Sequence, residues 1–418
     1  MPTLAAKRKL APGMGAVLAL LGVAVFINYI DRGSLSTAAP MLKDEFHLSA
    51  SQLGVLLSAF FFTYACFQLV SGWLVDHFDV KWVMAVGFLV WSVATAVTGL
   101  VTGFALLLVA RLVLGMGESV AYPSVSKILA RKFPEEQRGF ANSAIVAGQA
   151  GGPAFGMFTG GMLMATFGWR WFFLGMGLLS LLWLVPWMRW MPATPKGETA
   201  ADGPSTGVLE ILKQRSAWGT CAGLFFCNYL SYFLLTWMPF YLVHARQFRM
   251  QNMAEITGAA YGSAAIIGVI CGWASDRWLT KGTSPTVVRK TFTAAGMAVA
   301  AVGLLGCVSA VPGIVIAMVI LATIGYGICS SNLWAITQTL AGPHAAGRWT
   351  GVQNFMGNLA GVIAPSVTGY VVDKTGEFYL AFVIAAVMCA LGALSWVFFV
   401  GKVRQVEWKS ARVELVES

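Results

Sequence analysis

The chain has 418 residues, of which 57% are hydrophobic and only 11% charged, against about 25% charged in a soluble protein. So few charges cannot cover a water-facing surface, which excludes an ordinary soluble domain and makes lipid the main solvent. The net charge of +10 sits mostly between apolar runs, with no arginine-rich arm, aromatic-lysine ladder or zinc pattern, so nucleic acid is not an expected partner.

The first element begins after Lys7, Arg8 and Lys9 and runs apolar for longer than a secretory h-region, so it reads as an uncleaved membrane helix. Further apolar stretches centre near residues 62, 92, 116, 152, 180, 230, 267, 300, 326, 360 and 388. Each is long enough for the ~20 residues that a bilayer core requires. Backbone groups in lipid must be satisfied internally, which favours helices. The expectation is an all-α membrane protein of twelve transmembrane helices, in which the fifth and eleventh are glycine-rich and placed partly by spacing. Most of the 28 lysines and arginines fall in the tails and in the loops after even-numbered helices. Positive residues prefer the cytoplasm, so both termini are expected there.

The longest polar stretch, 192–216, contains Pro192, Pro195, Gly197, Gly203, Pro204 and Gly207 and reads as a cytoplasmic linker. It separates an N-terminal six-helix bundle (1–191) from a C-terminal one (217–418) that ends in a short tail. No tail or loop is large enough for a sensor's output domain. A membrane enzyme would need a nucleophile cluster or metal site, and none is visible; the reading is not an enzyme. No phosphate-binding Gly-x-x-x-x-Gly-Lys-Ser/Thr loop is present, and no cofactor is expected. Cys66, Cys221, Cys227, Cys271, Cys307, Cys329 and Cys389 all lie in apolar segments and read as small buried hydrophobes.

The two halves echo each other. Gly72-Trp73-Leu74-Val75-Asp76-His77 ends the second helix, and Gly272-Trp273-Ala274-Ser275-Asp276-Arg277 ends the eighth. More loosely, Arg138 precedes Gly152-Pro153 as Arg348 precedes Ala364-Pro365. The glycines are expected to let a neighbouring helix approach closely. The aspartates are expected to meet an arginine or a helix N-terminus of the next bundle, as a breakable latch. Repeated halves suit a transporter whose halves rock around a midplane site.

Four charges lie inside apolar spans: Asp31 and Arg32 in the first, Arg111 and Glu118 in the fourth. Each costs ~2.5–3.5 kcal/mol at mid-bilayer on the insertion scale. Such charges persist mainly where a polar cavity, a partner or a moving proton uses them. Arg32 presents a planar fork suited to a carboxylate and is the first candidate for substrate contact; the competing reading is a permanent ion pair with Asp31 or Glu118. Neighbouring helical residues point about 100° apart, so Asp31 and Arg32 need separate partners. Glu118 is the candidate proton carrier. Arg111, seven residues earlier on the same helix face, is expected to hold it charged in one state. His47, His77, His244 and His344 fall in loops or at helix ends and read as solvated.

With these pieces in place, the chain resembles the major facilitator superfamily over nearly its whole length. Gly72/Asp76 with Lys81, and Gly272/Asp276 with Arg277, resemble the family's gating motif and its second-half copy. The first copy departs from the pattern, because Asp79 stands for the expected glycine and Val80 for the expected arginine. Within the superfamily the resemblance is to the anion:cation symporters, which include bacterial hexonate and hexuronate transporters and to which sialin and vesicular glutamate transporters are related. It is carried by Asn28-Tyr29-Ile30-Asp31-Arg32, by the stretch from Arg111 to Pro123, by Ser331-Asn332-Leu333-Trp334-Ala335-Ile336, and by Gly351-Val352-Gln353-Asn354 onward to Gly361 and Pro365.

The resemblance implies the major facilitator fold and a monomeric, proton-coupled symporter of a small organic anion, most of all a sugar acid, in a bacterial inner membrane. It supports Asp31 as a second proton-coupling residue. It also implies that Tyr29, Tyr64, Gln149, Ser330, Ser331, Trp334 and Asn354 shape the pocket around Arg32. Spinster-like lipid transporters share a similar first-helix motif and are the competing reading, beside a carrier of another carboxylate such as an aromatic acid or a dicarboxylate.

Overall fold

The computed structural model describes residues 14–132, 135–192 and 207–408, apart from some side chains within helices. Twelve long helices follow one another: α1 Met14–Phe46, α2 Ala50–His77, α3 Val80–Thr98, α4 Phe104–Leu129, α5 Glu135–Phe167, α6 Trp169–Trp190, α7 Arg215–Ala245, α8 Met250–Thr280, α9 Pro285–Gly306, α10 Pro312–Gly342, α11 Arg348–Thr375 and α12 Tyr379–Phe399. Eleven are long and apolar enough to cross a bilayer by length and composition. The twelfth is the glycine-rich α5, 33 residues long and packed against α1 and α8. Of the expected linker, 193–206 lies outside the described residues, and Val208–Leu212 forms a short helix.

The halves use the same pairings. In the first, α1 packs on α5, α4 on α2 and α3, and α6 on α3; in the second, α7 packs on α11, α9 on α10 and α12, and α8 on α10. Lipid tails are as apolar as leucine, so packing in a membrane depends on close backbone approach through small residues. Gly115 shows this: a Cβ there would clash with the Phe60 carbonyl of α2. Lipid-facing positions stay apolar, as at Leu179, Val185 and Val269.

Helix ends follow local chemistry. Ser49 and Gln52 form a capping box at the start of α2. Asp79 caps α3 by accepting from the Lys81 amide at 3.0 Å, which gives the departure from the family motif a structural use. Gly342, at φ +64°, breaks the chain between α10 and α11 in the left-handed region that favours glycine.

An even number of spans brings both ends of the described chain to one face, termed proximal; the other is distal. Hydrogen bonds and an ion pair join the halves toward the distal face. Asp373, near the end of α11, accepts from the amides of Ala50 and Ser51 at 2.7 and 2.8 Å. Ser58 donates to the Val362 carbonyl at 2.8 Å and lies 2.9 Å from the Ser366 hydroxyl. At Gly54 a Cβ would stand 2.6 Å from the Pro365 carbonyl oxygen. His244 corrects its reading as a solvated residue: its Nε2 lies 3.3 Å from the Pro40 carbonyl oxygen and 3.5 Å from Asp44 Oδ1, across the halves.

Candidate functional site

The four intramembrane charges converge. Arg32, Asp31, Arg111 and Glu118 are all buried. Arg32 Nε donates to Glu118 Oε2 at 3.1 Å. Asp31, on the next face of α1, neighbours Thr95 of α3, with Arg111 and Glu118 in electrostatic range. Two adjacent residues thus find separate surroundings, as a 100° step requires. Glu118 sits at the last position of a regular stretch of α4, just before a turn at 119–120.

The described state contains the Arg32–Glu118 ion pair, the competing reading for Arg32, while Arg111 stays within electrostatic range of Glu118. Arg32 makes the direct contact with Glu118, whereas Arg111 is two turns away along α4. The Arg111 guanidinium instead lies over the Phe60 ring at 5.2 Å, the same distance as that of Arg32. Phe60 thus neighbours both cations.

Aromatic faces enclose Arg32. Tyr64 and Tyr29 lie 4.4 and 4.8 Å from its guanidinium carbon. Ring quadrupoles attract a cation, and a desolvated pair contributes up to ~2 kcal/mol. The Tyr122 hydroxyl donates to Gln149 Oε1 at 3.0 Å and lies 3.2 Å from the Tyr29 hydroxyl, so α1, α4 and α5 share one polar chain. From the other half, Tyr232 packs on Phe61 at 4.3 Å and is within electrostatic range of Arg32. Its hydroxyl donates to Asn358 Oδ1 at 2.6 Å, and Asn358 Nδ2 donates to the Asn354 carbonyl at 2.8 Å.

Several buried polar atoms have no hydrogen-bond partner among the described residues: Arg32 Nη2, Glu118 Oε1, Asp31 Oδ2, Arg111 Nε and both amide atoms of Asn28. A buried donor or acceptor left unmatched costs ~1–3 kcal/mol, and more when charged.

The predicted residues divide. Tyr29, Tyr64, Gln149 and Glu118 stand around Arg32 or its polar chain. Ser330 and Ser331 turn their hydroxyls onto their own helix, donating to the carbonyls of Gly327 and Ile328 at 3.2 and 2.7 Å. Trp334 is half-buried against the second-half core, and Asn354 is half-buried one turn before Asn358. Tyr122, Tyr232, Asn358 and Phe60 were missed. Tyr122 lies four residues after Glu118, and Asn358 four after Asn354, so helical spacing from a chosen residue marks both. Tyr232 and Phe60 carry no such signal in an aromatic-rich chain.

The gating segments also depart from expectation. Nothing lies within 4 Å of a Cβ built at Gly72 or Gly272, so neither mediates a close helix approach here; the tight crossings fall deeper in the bundle. Asp276 does not reach the next bundle: it pairs with Arg289 of α9, in its own half, at 3.0 Å. Arg289 also donates to Asn332 Oδ1 at 2.6 Å and Ser275 Oγ at 3.1 Å, joining α8, α9 and α10. Arg277 lies instead over Trp273 at 5.3 Å, and His77 stacks likewise on Trp73 at 4.6 Å, so the repeat extends to the side chains. Lys81 donates to the Met188 carbonyl at 2.9 Å. The side chains of Asp76 and His344 lie outside the described residues.

Comparison with known proteins agrees with this architecture. The hexuronate transporter of Bacillus subtilis is 31% identical over 402 residues, covering 92% of this chain and 94% of that protein. The D-galactonate transporter of Escherichia coli is 28% identical, covering 93% and 96%. A probable galactarate/D-glucarate transporter of Escherichia coli is 27% identical, covering 94% and 95%. In fold, the chain is similar to a bacterial homologue of the lysosomal transporter Spinster, crystallised in an inward-facing and occupied conformation. The TM-score is 0.79 at 18% identity, over 93% of this chain and 97% of that one. The Major Facilitator Superfamily profile matches residues 21–365, and this integral, multi-pass membrane protein belongs to that family.

Proposed function

We propose that the protein is a proton-coupled symporter of a small organic anion, a sugar acid such as a hexonate or hexuronate, working by alternating access. The observation that carries this reading is Arg32: a buried guanidinium at the junction of the halves, engaged through Nε by Glu118 but with Nη2 unmatched among the described residues. A guanidinium takes a carboxylate through two parallel hydrogen bonds. A substrate carboxylate docks on Arg32. Its hydroxyls meet the Tyr29, Tyr122 and Gln149 chain on one side, and Tyr232, Asn354 and Asn358 on the other. Ser330, Ser331 and Trp334 complete the second-half wall, with Trp334 against the carbon skeleton.

A proton on Glu118 removes its claim on Arg32 and leaves the fork to the substrate. Asp31 and Arg111 tune that exchange. With proton and substrate aboard, buried charge is balanced and the halves can occlude the site, rocking as units divided at 192–216. The positive-inside asymmetry orients the termini to the cytoplasm of a bacterial inner membrane, so the distal cross-links close the outer face and the described state faces inward. Substrate and proton then leave to the cytoplasm. The pocket's hydroxyls and amides favour a hydrophilic substrate over a lipid, and the sugar-acid transporters among the relatives favour the same class.

Purified protein in proteoliposomes, under an inward proton gradient, tests this against gluconate, galactonate, glucuronate, glucarate, an aromatic acid and lactate. The expected result is concentrative uptake of a sugar acid that a protonophore collapses. Uptake unaffected by the protonophore removes proton coupling. No uptake of any sugar acid by folded protein overturns the substrate class.

A further inference from the structure

A polar cavity lies at the proximal edge of the second half, away from Arg32. Its volume is about 680 Å³, and its walls include Arg215 at the start of α7, Phe398 and Phe399 at the end of α12, and the segment after α12. That segment is a fixed strap. The Val403 amide donates to Thr286 Oγ1, the Val406 amide to the Leu340 carbonyl and Trp408 Nε1 to the Ala341 carbonyl, each at 2.9 Å. Trp408 is 2% exposed and packs edge-on to Trp349. The strap therefore holds Lys402 and Arg404 beside Arg215, whose guanidinium is oriented by the Phe398 carbonyl at 3.3 Å and the Phe399 ring at 5.8 Å. Three cations face one carboxylate, Glu407, with Gln214, Ser216 and Gln405 as further polar lining.

Its position identifies the ligand chemistry. Arg215 opens one membrane span and Phe399 closes another, so the cavity straddles the boundary between headgroups and hydrocarbon. Directly beside it, Trp218, Phe398 and Phe399 are 51%, 62% and 55% exposed. A soluble anion has no use for that apolar flank, whereas a molecule with a charged head and hydrocarbon chains uses both surfaces. Basic pockets between membrane helices at the interface select anionic headgroups over zwitterionic ones. We propose that this cavity binds the phosphodiester headgroup of an anionic membrane phospholipid, with its acyl chains along Trp218, Phe398 and Phe399. The site is independent of the transported substrate.

Native mass spectrometry of the full-length protein, titrated with phosphatidylglycerol or phosphatidylcholine of identical chains, tests this. The wild type is expected to prefer phosphatidylglycerol, and R215Q/K402Q/R404Q to bind it roughly tenfold or more weakly with phosphatidylcholine binding unchanged. K402Q/R404Q alters only the exposed strap and keeps the test available if the triple variant misfolds; a clear loss is expected there too. R215K/R404K should restore the preference, and R249Q/K281Q, which removes exposed charges elsewhere, should leave it intact. Undiminished preference in the strap variant overturns the proposal. So does displacement of phosphatidylglycerol by glycerol 1-phosphate at matching concentration, which makes this a soluble-anion site.

Discussion

Arg32 Nε and Glu118 Oε2 stand 3.1 Å apart with both side chains shielded from solvent, one on α1 and the other on α4. Removing one member of a buried pair costs ~3–5 kcal/mol, because the other charge is left uncompensated. The pair is thus a structural tie in the described state, and under the proposed mechanism a substrate and a proton replace it together.

Glu118→Gln keeps an acceptor oxygen near Arg32 but cannot exchange a proton. Counterflow exchange of a sugar acid across proteoliposomes should persist, while accumulation driven by a pH gradient should vanish. Full pH-driven accumulation by this variant would remove Glu118 as the proton carrier. Glu118→Ala should also melt at a lower temperature than Glu118→Gln, because it leaves the guanidinium with no acceptor.

Arg32→Ala should weaken sugar-acid binding by roughly 30-fold or more, the scale for truncating one side of a hydrogen-bonded charge pair. Isothermal titration on folded, monodisperse protein reads this. Arg32→Lys should bind measurably but poorly, because an ammonium cannot present a two-pronged fork. Affinity equal to wild type in the alanine variant would exclude Arg32 as the anchor.

Tyr232→Phe removes the hydroxyl that holds Asn358 at 2.6 Å while keeping the ring on Phe61. A neutral hydrogen bond contributes ~0.5–1.5 kcal/mol, so galactonate affinity should fall about two- to tenfold. Lactate, with its single hydroxyl, should lose less. Equal losses for both would show that Tyr232 acts on the site's shape instead of reading hydroxyls.

Asp373 accepts from two α2 amides and places its negative charge at that helix's N-terminus. Losing a cap costs ~0.5–2 kcal/mol. Asp373→Ala should therefore raise the population with an open distal face. Spin labels at His47 and Glu377 should report a longer distance by pulsed resonance spectroscopy. An unchanged distribution would mean that the glycine crossing at Gly54 holds this face without the cap.

Arg289→Gln should destabilise the second half more than Arg277→Gln. Arg289 binds Asp276, Asn332 and Ser275, whereas Arg277 lies over an exposed tryptophan. Hydrogen bonds to a charged group contribute ~1.5–3 kcal/mol, against about 0.5–1 for an exposed cation–π contact. Thermal unfolding of both variants reads the order directly.

The sequence by itself determined the twelve helices, the paired halves and the four charges inside apolar spans. Lipid imposes these on any chain: spans must be long, apolar and helical, and a charge within one stands out because it is costly. The family resemblance pointed to Tyr29, Tyr64 and Gln149, and the fold sets the first two beside Arg32 and the third on the polar chain through Tyr122. Only the tertiary structure decided who partners whom. Of the partners left open for Arg32 it selected Glu118, and it turned Asp276 toward Arg289, brought Tyr232 and Asn358 to the site from the other half, and set Asp373 and His244 across the distal face. Those choices depend on how helices far apart in sequence cross one another, and helix crossings are fixed by many small packing contacts, such as those at Gly54 and Gly115, that no single residue's chemistry reveals.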